Sequence, residues 1–320
     1  MLPDEIEDYW HDFRRSLARR GRSKATVEVY RKSFEQFWKW ALMAGVKPDP
    51  ASVDHAVLNE WTDHLLVAPA TRNGRPILAL DAATGRQVAR PMEPSTRRIR
   101  YMNLRPFFSW WAREFDAPNP FDRADPPGDP RPSPIPIVPL EDVRRLLHVC
   151  NSKTFVDRRD NAIIRVLFDT GARLGELVGL SAEDWDRRAD LLALRGKTGS
   201  RVVPISATTG ESVSRYLRLR REHPKSRLPA MWLAAKGALG NSGVAQLLKR
   251  RCAEANVAPI HPHQARHTFA HHFRAAGGSE GDLMYLAGWQ STAMAHRYGR
   301  SAAAQRAQDS LRRLSLGDQL

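Results

Sequence analysis

The sequence predicts a two-domain protein that is mainly α-helical, with a small β-hairpin in its second domain. Three observations predict it. At 320 residues the chain exceeds what one hydrophobic core ordinarily serves and suffices for two. Apolar residues recur at helical spacing over most of its length. Between residues 117 and 140 the chain is dense in proline, which cannot continue a helix and favours extended backbone. The expected organisation is therefore a helical domain over 1–117, a proline-rich linker over 118–139 and a second domain over 140–320.

In the first domain, Val27, Tyr30, Phe34 and Phe37 lie one helical turn apart behind Ser23, whose hydroxyl suits a helix N-cap. A second such run follows Ser95 through Ile99, Met102 and Phe107. Trp10, Trp38, Trp40, Trp61, Trp110 and Trp111 all fall here, which reads as a small bundle with an aromatic core. Aromatic rings beside arginines also suit stacking on bases, but core packing is the preferred reading. Residues 68–94 break the helical pattern with Asn73-Gly74, Pro76, Thr84-Gly85 and an apolar run at 77–80, the pattern of a loop or short hairpin. Arg72, Arg75, Arg86 and Arg90 fit this segment to DNA contact, and its composition equally fits a surface insertion.

After the linker, helical runs are expected over 140–149, 160–168, 173–180, 211–223, 243–256 and 263–276. The exception is 191–205, where LLALRG and RVVPI flank Lys197, Thr198, Gly199 and Ser200, predicting a two-stranded hairpin with the lysine near its tip.

Composition narrows the function classes. A hydrophobic content of 42% describes a globular chain. No segment approaches the roughly 20 apolar residues that span a bilayer, and the acidic start (Asp4, Glu5, Glu7, Asp8) is unlike a signal peptide. No membrane partner and a cytoplasmic location, on the nucleoid through DNA binding, are expected. Cys150 and Cys252 are far apart and form no C-x-x-C pair, so buried core thiols are expected rather than a disulfide or cysteine metal site. Fifty Lys and Arg against 35 Asp and Glu give a net charge of +15, which attracts a polyanion and gains affinity by releasing its counterions. A GC-rich coding bias also enriches arginine, so clustering carries the inference. Runs such as Arg97, Arg98, Arg100 and Arg105, with Lys24 and Arg250 elsewhere, are the expected DNA contacts.

An ordered set of residues suits phosphodiester chemistry: Arg173, Lys197, His263, Arg266, Trp289 and Tyr298. Gly171 is expected to end one helix and Arg173 to begin the next, placing a bidentate phosphate binder beside helix N-terminal N–H groups. Glu176, one turn later, suits orienting an arginine or histidine, and His267 joins it as a supporting residue. His263 and Arg266, three apart on a helix begun by Pro262, share a face. His263, His267 and His271 also repeat as zinc ligands do. Gln264 stands where the zinc protease pattern requires Glu, and Arg266 brings positive charge, so no metal is expected. Tyr298 follows Trp289 by nine residues. A tyrosine with pKa about 10 is only ~0.1% ionised at neutral pH and needs a base or nearby cations to attack.

With these residues in this order, the chain resembles the tyrosine recombinases of the phage integrase family, of the simple two-domain type seen in Xer and Cre recombinases. The resemblance covers the whole second domain, and STRRIRYMNLRPFFSWWARE before the linker resembles the family's SAM-like core-binding domain. It implies a C-shaped clamp on duplex DNA. Tyr298 would form a 3′-phosphotyrosine, Arg173 and Arg266 would neutralise the phosphate, Lys197 would protonate the leaving oxygen and His263 would act on the tyrosine proton. Trp289, where many members have histidine, would donate a hydrogen bond and pack. The energy of the bond is conserved in the phosphotyrosine, so no cofactor, ATP or metal is implied. Strand exchange would run through a Holliday junction in a homotetramer, with the tail after Ser310 (Leu311, Leu314, Leu316) exchanged between subunits. A tail folded on its own domain is the alternative, and no separate arm-binding domain is expected ahead of the core-binding domain. A type IB topoisomerase, a non-catalytic DNA-binding regulator and, third, a zinc-dependent hydrolase are the rival functions.

Overall fold

The computed structural model describes residues 2–72, 75–81, 84–129, 136–197, 199–292, 308 and 311–312. The chain divides into two compact units, Met1–Pro132 and Ser133–Leu320, and it is mostly helical with small sheets. Among the described residues no helix is long and apolar enough to cross a membrane.

The first unit is built from α1 (Asp4–Arg19), α2 (Lys24–Met43), α3 (His55–Val67), α4 (Pro94–Met102) and α5 (Arg105–Glu114). Ser23 caps α2 by accepting from the Thr26 N–H at 3.2 Å. The single run expected from Ser95 to Phe107 is two helices, broken at Asn103 and Leu104. Pro106 in the first turn of α5 explains the break, since a proline starts a helix readily but cannot continue one. The tryptophans form core: Trp38 and Trp61 are fully buried, Trp10, Trp110 and Trp111 nearly so, and Trp40 packs against them. Phe37 meets Trp61 and Phe108 edge-on with ring centroids 5.7 and 5.9 Å apart, the arrangement that puts positive ring edges on negative faces.

Residues 68–94 form an insertion between α3 and α4, where β1 (Thr71–Arg72) pairs with β2 (Arg75–Pro76) and β3 (Leu78–Leu80) with β4 (Gln87–Ala89). The Met92 N–H donates to the Ala68 carbonyl at 3.3 Å, and both residues are buried, so the base of the insertion is anchored in the unit's core. Its outer strands leave Leu78, Leu80 and Val88 exposed.

The proline-rich stretch is divided between the units. Phe121 is buried in the first core, and the Asp125 N–H donates to Asn59 Oδ1 at 2.9 Å. Val138 is buried in the second core, with its N–H donated to Thr268 Oγ1 at 2.9 Å. Proline stops a helix from continuing but does not prevent burial, so the two ends of the stretch contribute to the two cores.

The second unit is centred on α7 (Phe155–Thr170), with Ala162, Ile163, Ile164, Val166 and Leu167 all fully buried, as befits a helix surrounded by others. Around it lie α6 (Leu140–His148), α8 (Leu174–Val178), α9 (Ala207–Arg220), α10 (Asn241–Glu254), α11 (Pro262–Ala275) and α12 (Glu280–Ala287). Between α8 and α9, β5 (Trp185–Asp186), β6 (Leu191–Gly196) and β7 (Gly199–Pro204) form an antiparallel sheet in the order β5-β6-β7. The expected hairpin is thus β6-β7, with β5 added at its edge. A further two-stranded pair, β8 (Leu233–Ala234) and β9 (Gly237–Ala238), precedes α10.

Several runs differ from expectation: the helix expected over 173–180 spans only Leu174–Val178, α9 begins at Ala207 rather than 211, and α7, expected over 160–168, spans Phe155–Thr170. Ser206 accounts for the second, since its side chain accepts from the Thr209 N–H and caps the helix four residues early. An ion network ties α7 to α10: the fully buried Asp160 accepts from Arg159 Nε at 3.0 Å, Arg250 Nη2 at 2.8 Å and Arg251 Nε at 2.9 Å.

Candidate active site

Two left-handed glycines shape the site. Gly171 ends α7 with φ +59°, and a Cβ there would lie 2.5 Å from the Phe269 ring. Gly288 ends α12 with φ +62°. Both conformations are ones L side chains rarely adopt. At the end of α12 the Gly288 N–H donates to Tyr285 O and the Trp289 N–H to Met284 O, a Schellman closure. The next three carbonyls would be orphaned at a helix C-terminus, which carries partial negative charge.

Three arginines take those carbonyls. Arg201 Nε donates to Leu286 O at 2.6 Å, Arg266 Nη2 donates to Ala287 O, and Arg173 Nη2 donates to Gly288 O at 2.8 Å. Arg266 also donates from Nη1 to Gly171 O at 2.7 Å, so one guanidinium joins the end of α7 to the end of α12. Its guanidinium carbon lies 5.1 Å from the Trp289 ring centroid, a cation–π contact, and both side chains are nearly fully buried.

Glu176 is the anion of this group. Its Oε1 accepts from Arg173 Nη1 at 2.8 Å and Arg201 Nη1 at 2.9 Å, while Oε2 accepts from the Arg173 N–H at 2.8 Å and Arg201 Nη2 at 2.9 Å. Burial pushes this carboxyl up, but the hydrogen bonds from Arg201 and Arg173 outweigh it and hold the pKa down at about 2. The Arg173 guanidinium therefore bonds Glu176 and Gly288, and Glu176 also accepts from the N–H of Arg173 at the start of α8. Two guanidinia, those of Arg173 and Arg201, thus share this one carboxylate, while Arg266 is held by backbone carbonyls.

The hairpin carrying Lys197 lies against the same carboxylate. Gly196 pairs with Gly199 at the end of the hairpin, and Lys197 follows Gly196 in a turn. A Cβ on Gly196 would lie 2.8 Å from Glu176 Oε1, so only glycine permits this approach. Lys197 itself is exposed.

On α11 the expected neighbours divide by environment. His263 is exposed in the first turn, whereas Arg266 and His267 are buried. Tyr298 and Thr198, together with the tail residues Leu314 and Leu316, lie outside the described residues. Leu311 is exposed.

The other basic residues differ in environment. Lys24 and Arg105 are exposed. Arg98 donates to Pro127 O at 2.8 Å and pairs with Asp129, and Arg250 pairs with Asp160. Arg97 is half-buried, as is Arg100, whose burial lowers its pKa.

The residue that sequence reasoning missed is Arg201. A signal was available: in RVVPI it sits at the inward position of β7, two before the buried Val203, where a charged residue is rare without a partner.

Comparisons with known proteins place this architecture. The chain is similar to the tyrosine recombinase XerC of Myxococcus xanthus, with 30% identity over 216 residues, covering 64% of this chain and 71% of that one. It is similar to the tyrosine recombinase XerD of Listeria monocytogenes serotype 4b (strain F2365), with 26% identity over 294 residues and 90% of each chain covered. Among solved structures, the Tn1549 transposon integrase in complex with transposon right end DNA shares the fold, with a TM-score of 0.68 at 18% identity, covering 96% of this chain and 99% of that chain. The XerH site-specific recombinase bound to difH substrate also shares it, with a TM-score of 0.63 at 16% identity, covering 85% of this chain and 75% of that chain. The sequence profile of the phage integrase family matches residues 137–305, more than half the chain, and the chain belongs to that family.

Proposed function

We propose that this chain is a site-specific DNA recombinase that cuts and rejoins strands through a 3′-phosphotyrosine. The observation that carries the proposal is the convergence of Arg173, Arg266, Glu176 and the Lys197 hairpin at the end of α12, ten residues before a tyrosine.

Arg173 and Arg266 bind the non-bridging oxygens of the scissile phosphate and offset the charge that grows there as Tyr298 attacks. Helix carbonyls and Glu176 fix both guanidinia in advance, so little reorganisation accompanies reaction. His263, at the solvent-facing start of α11, takes the tyrosine proton. Lys197, at the hairpin turn, protonates the departing 5′-oxygen. Trp289 packs against Arg266 and supplies an indole N–H, while Glu176 and His267 hold the site from behind. The phosphotyrosine conserves the energy of the bond, so the reaction as proposed calls for neither ATP nor a metal.

Residues 1–117 serve as the core-binding domain and 140–320 as the catalytic domain, both on duplex DNA in the cytoplasm. Lys24, Arg97, Arg100 and Arg105 fit contact with the DNA backbone. Arg98 and Arg250, each already paired with a carboxylate, contribute less. Exchange proceeds through a Holliday junction in a homotetramer, with the tail after Ser310 passed between subunits.

A supercoiled plasmid carrying two copies of the DNA segment that the protein cleaves tests this reading. Deletion or inversion between the copies is expected. Relaxation without exchange would identify a type IB topoisomerase, and tight binding with neither product a non-catalytic regulator.

A further inference from the structure

We propose that Arg201 is a positioning residue for strand cleavage, acting through Glu176 to hold Arg173 while leaving the Arg173 charge available to the scissile phosphate. This rests on the recombinase reading above.

Arg201 is nearly fully buried on β7, where an arginine without partners would carry a heavy desolvation penalty. Its two Nη atoms engage the two oxygens of Glu176, each at 2.9 Å, the bidentate geometry that fixes orientation as well as charge. Its Nε donates to Leu286 O at 2.6 Å. Arg173 is anchored on Glu176 Oε1 and on Gly288 O, both at 2.8 Å. Arg201 therefore bonds the first anchor directly and the helix end that presents the second.

The charge balance gives Arg201 its role. Glu176 is needed to orient Arg173, yet a buried carboxylate facing Arg173 alone would neutralise the cation that the phosphate requires. With Arg201 opposite Glu176, the carboxylate is already balanced and Arg173 keeps its field. Loss of Arg201 removes the bidentate partner of Glu176 and frees the carboxylate to draw Arg173 inward.

The test compares cleavage of two suicide duplexes built on the site that the wild-type protein maps. One carries the natural scissile phosphate. The other carries a methylphosphonate, in which a methyl replaces one non-bridging oxygen and removes the charge that Arg173 balances. Adduct formation by Arg201→Met is expected to slow about 10²-fold on the phosphate, the scale seen when one charge-stabilising donor is lost. On the methylphosphonate the deficit should shrink to within a few-fold of wild type, with both substrates compared at a temperature at which the variant is folded. Arg201→Lys, which keeps the charge without the bidentate fork, should recover part of the rate. If Arg201→Met fails to fold, Arg201→Lys carries the same comparison. Equal losses on both substrates, as a general distortion would cause, or no loss on the phosphate, would overturn this role. Absence of any adduct from wild type would overturn the recombinase reading itself, so the two failures are distinguishable.

Discussion

Arg173 and Gly288, 115 residues apart in the chain, are joined by one hydrogen bond of 2.8 Å from the guanidinium to the carbonyl. The bond couples the start of α8 to the end of α12, so the geometry of a cation intended for phosphate depends on how a distant helix terminates.

Gly288→Ala tests that dependence. A Cβ at this position would lie 2.8 Å from Arg201 Nη1 and 3.2 Å from Arg173 Nη1, and the φ of +62° is unfavourable for any L side chain. The backbone strain costs roughly 1–2 kcal/mol. Displacing two guanidinia is expected to lower the cleavage rate by about 10²-fold, out of proportion to that destabilisation. Single-turnover cleavage beside a thermal melt separates the two effects, and loss of stability with an unchanged rate would count against the coupling.

Glu176 predicts an acid limb of stability. Its folded pKa of about 2 lies below the ordinary 4.5, so its contribution is fully present above pH 4.5 and is lost as pH falls toward 2. A shift of this size corresponds to roughly 3 kcal/mol. Denaturant midpoints measured across this range should fall for wild type, and the decline should be shallower for Glu176→Gln, which cannot titrate.

Asp160 is expected to be a stability residue with no part in the chemistry. It is fully buried and pairs with Arg159, Arg250 and Arg251. Asp160→Ala removes the carboxylate partner of the buried Arg159 and one of those of Arg251, which keeps Asp157 and Glu254, and should cost about 3–5 kcal/mol. Urea unfolding of the variant measures this directly, and a cost below about 1 kcal/mol, typical of exposed pairs, would contradict it.

Neither cysteine should react in the native protein. Burial pushes the Cys150 thiol up to about 12 and raises Cys252 as well. Since the thiolate is the reactive form, an aromatic disulfide reagent at pH 8 should label both only as the chain unfolds. Rapid labelling of the folded protein would show that one of them is accessible.

Much of this architecture was legible in the sequence because it rests on local rules. Ser23 marks a cap, Gly171 a helix end, and the Lys197 turn a hairpin, each through backbone preferences that neighbouring residues reveal. The family resemblance rests on a set of residues whose chemistry is intelligible together. Arg201 escaped because its partners, Glu176 and Leu286, are brought to it by tertiary packing. The actual anchors of Arg173 escaped for the same reason. The sequence shows a helix start at that residue, but only the fold shows that Glu176 occupies its N–H and that Gly288 offers a carbonyl. The proline-rich stretch shows a different limit, since proline reports backbone conformation and is silent about burial at Phe121 and Val138.

The most direct test of the central claim is covalent. Wild type and Tyr298→Phe are incubated with nicked suicide duplexes tiled across the DNA flanking the protein's own gene, and the products are resolved on denaturing gels. A protein–DNA adduct formed by wild type alone, whose linked peptide contains Tyr298, is the predicted result. An adduct that persists in Tyr298→Phe, or tight binding to a fragment with no adduct from wild type, would contradict it.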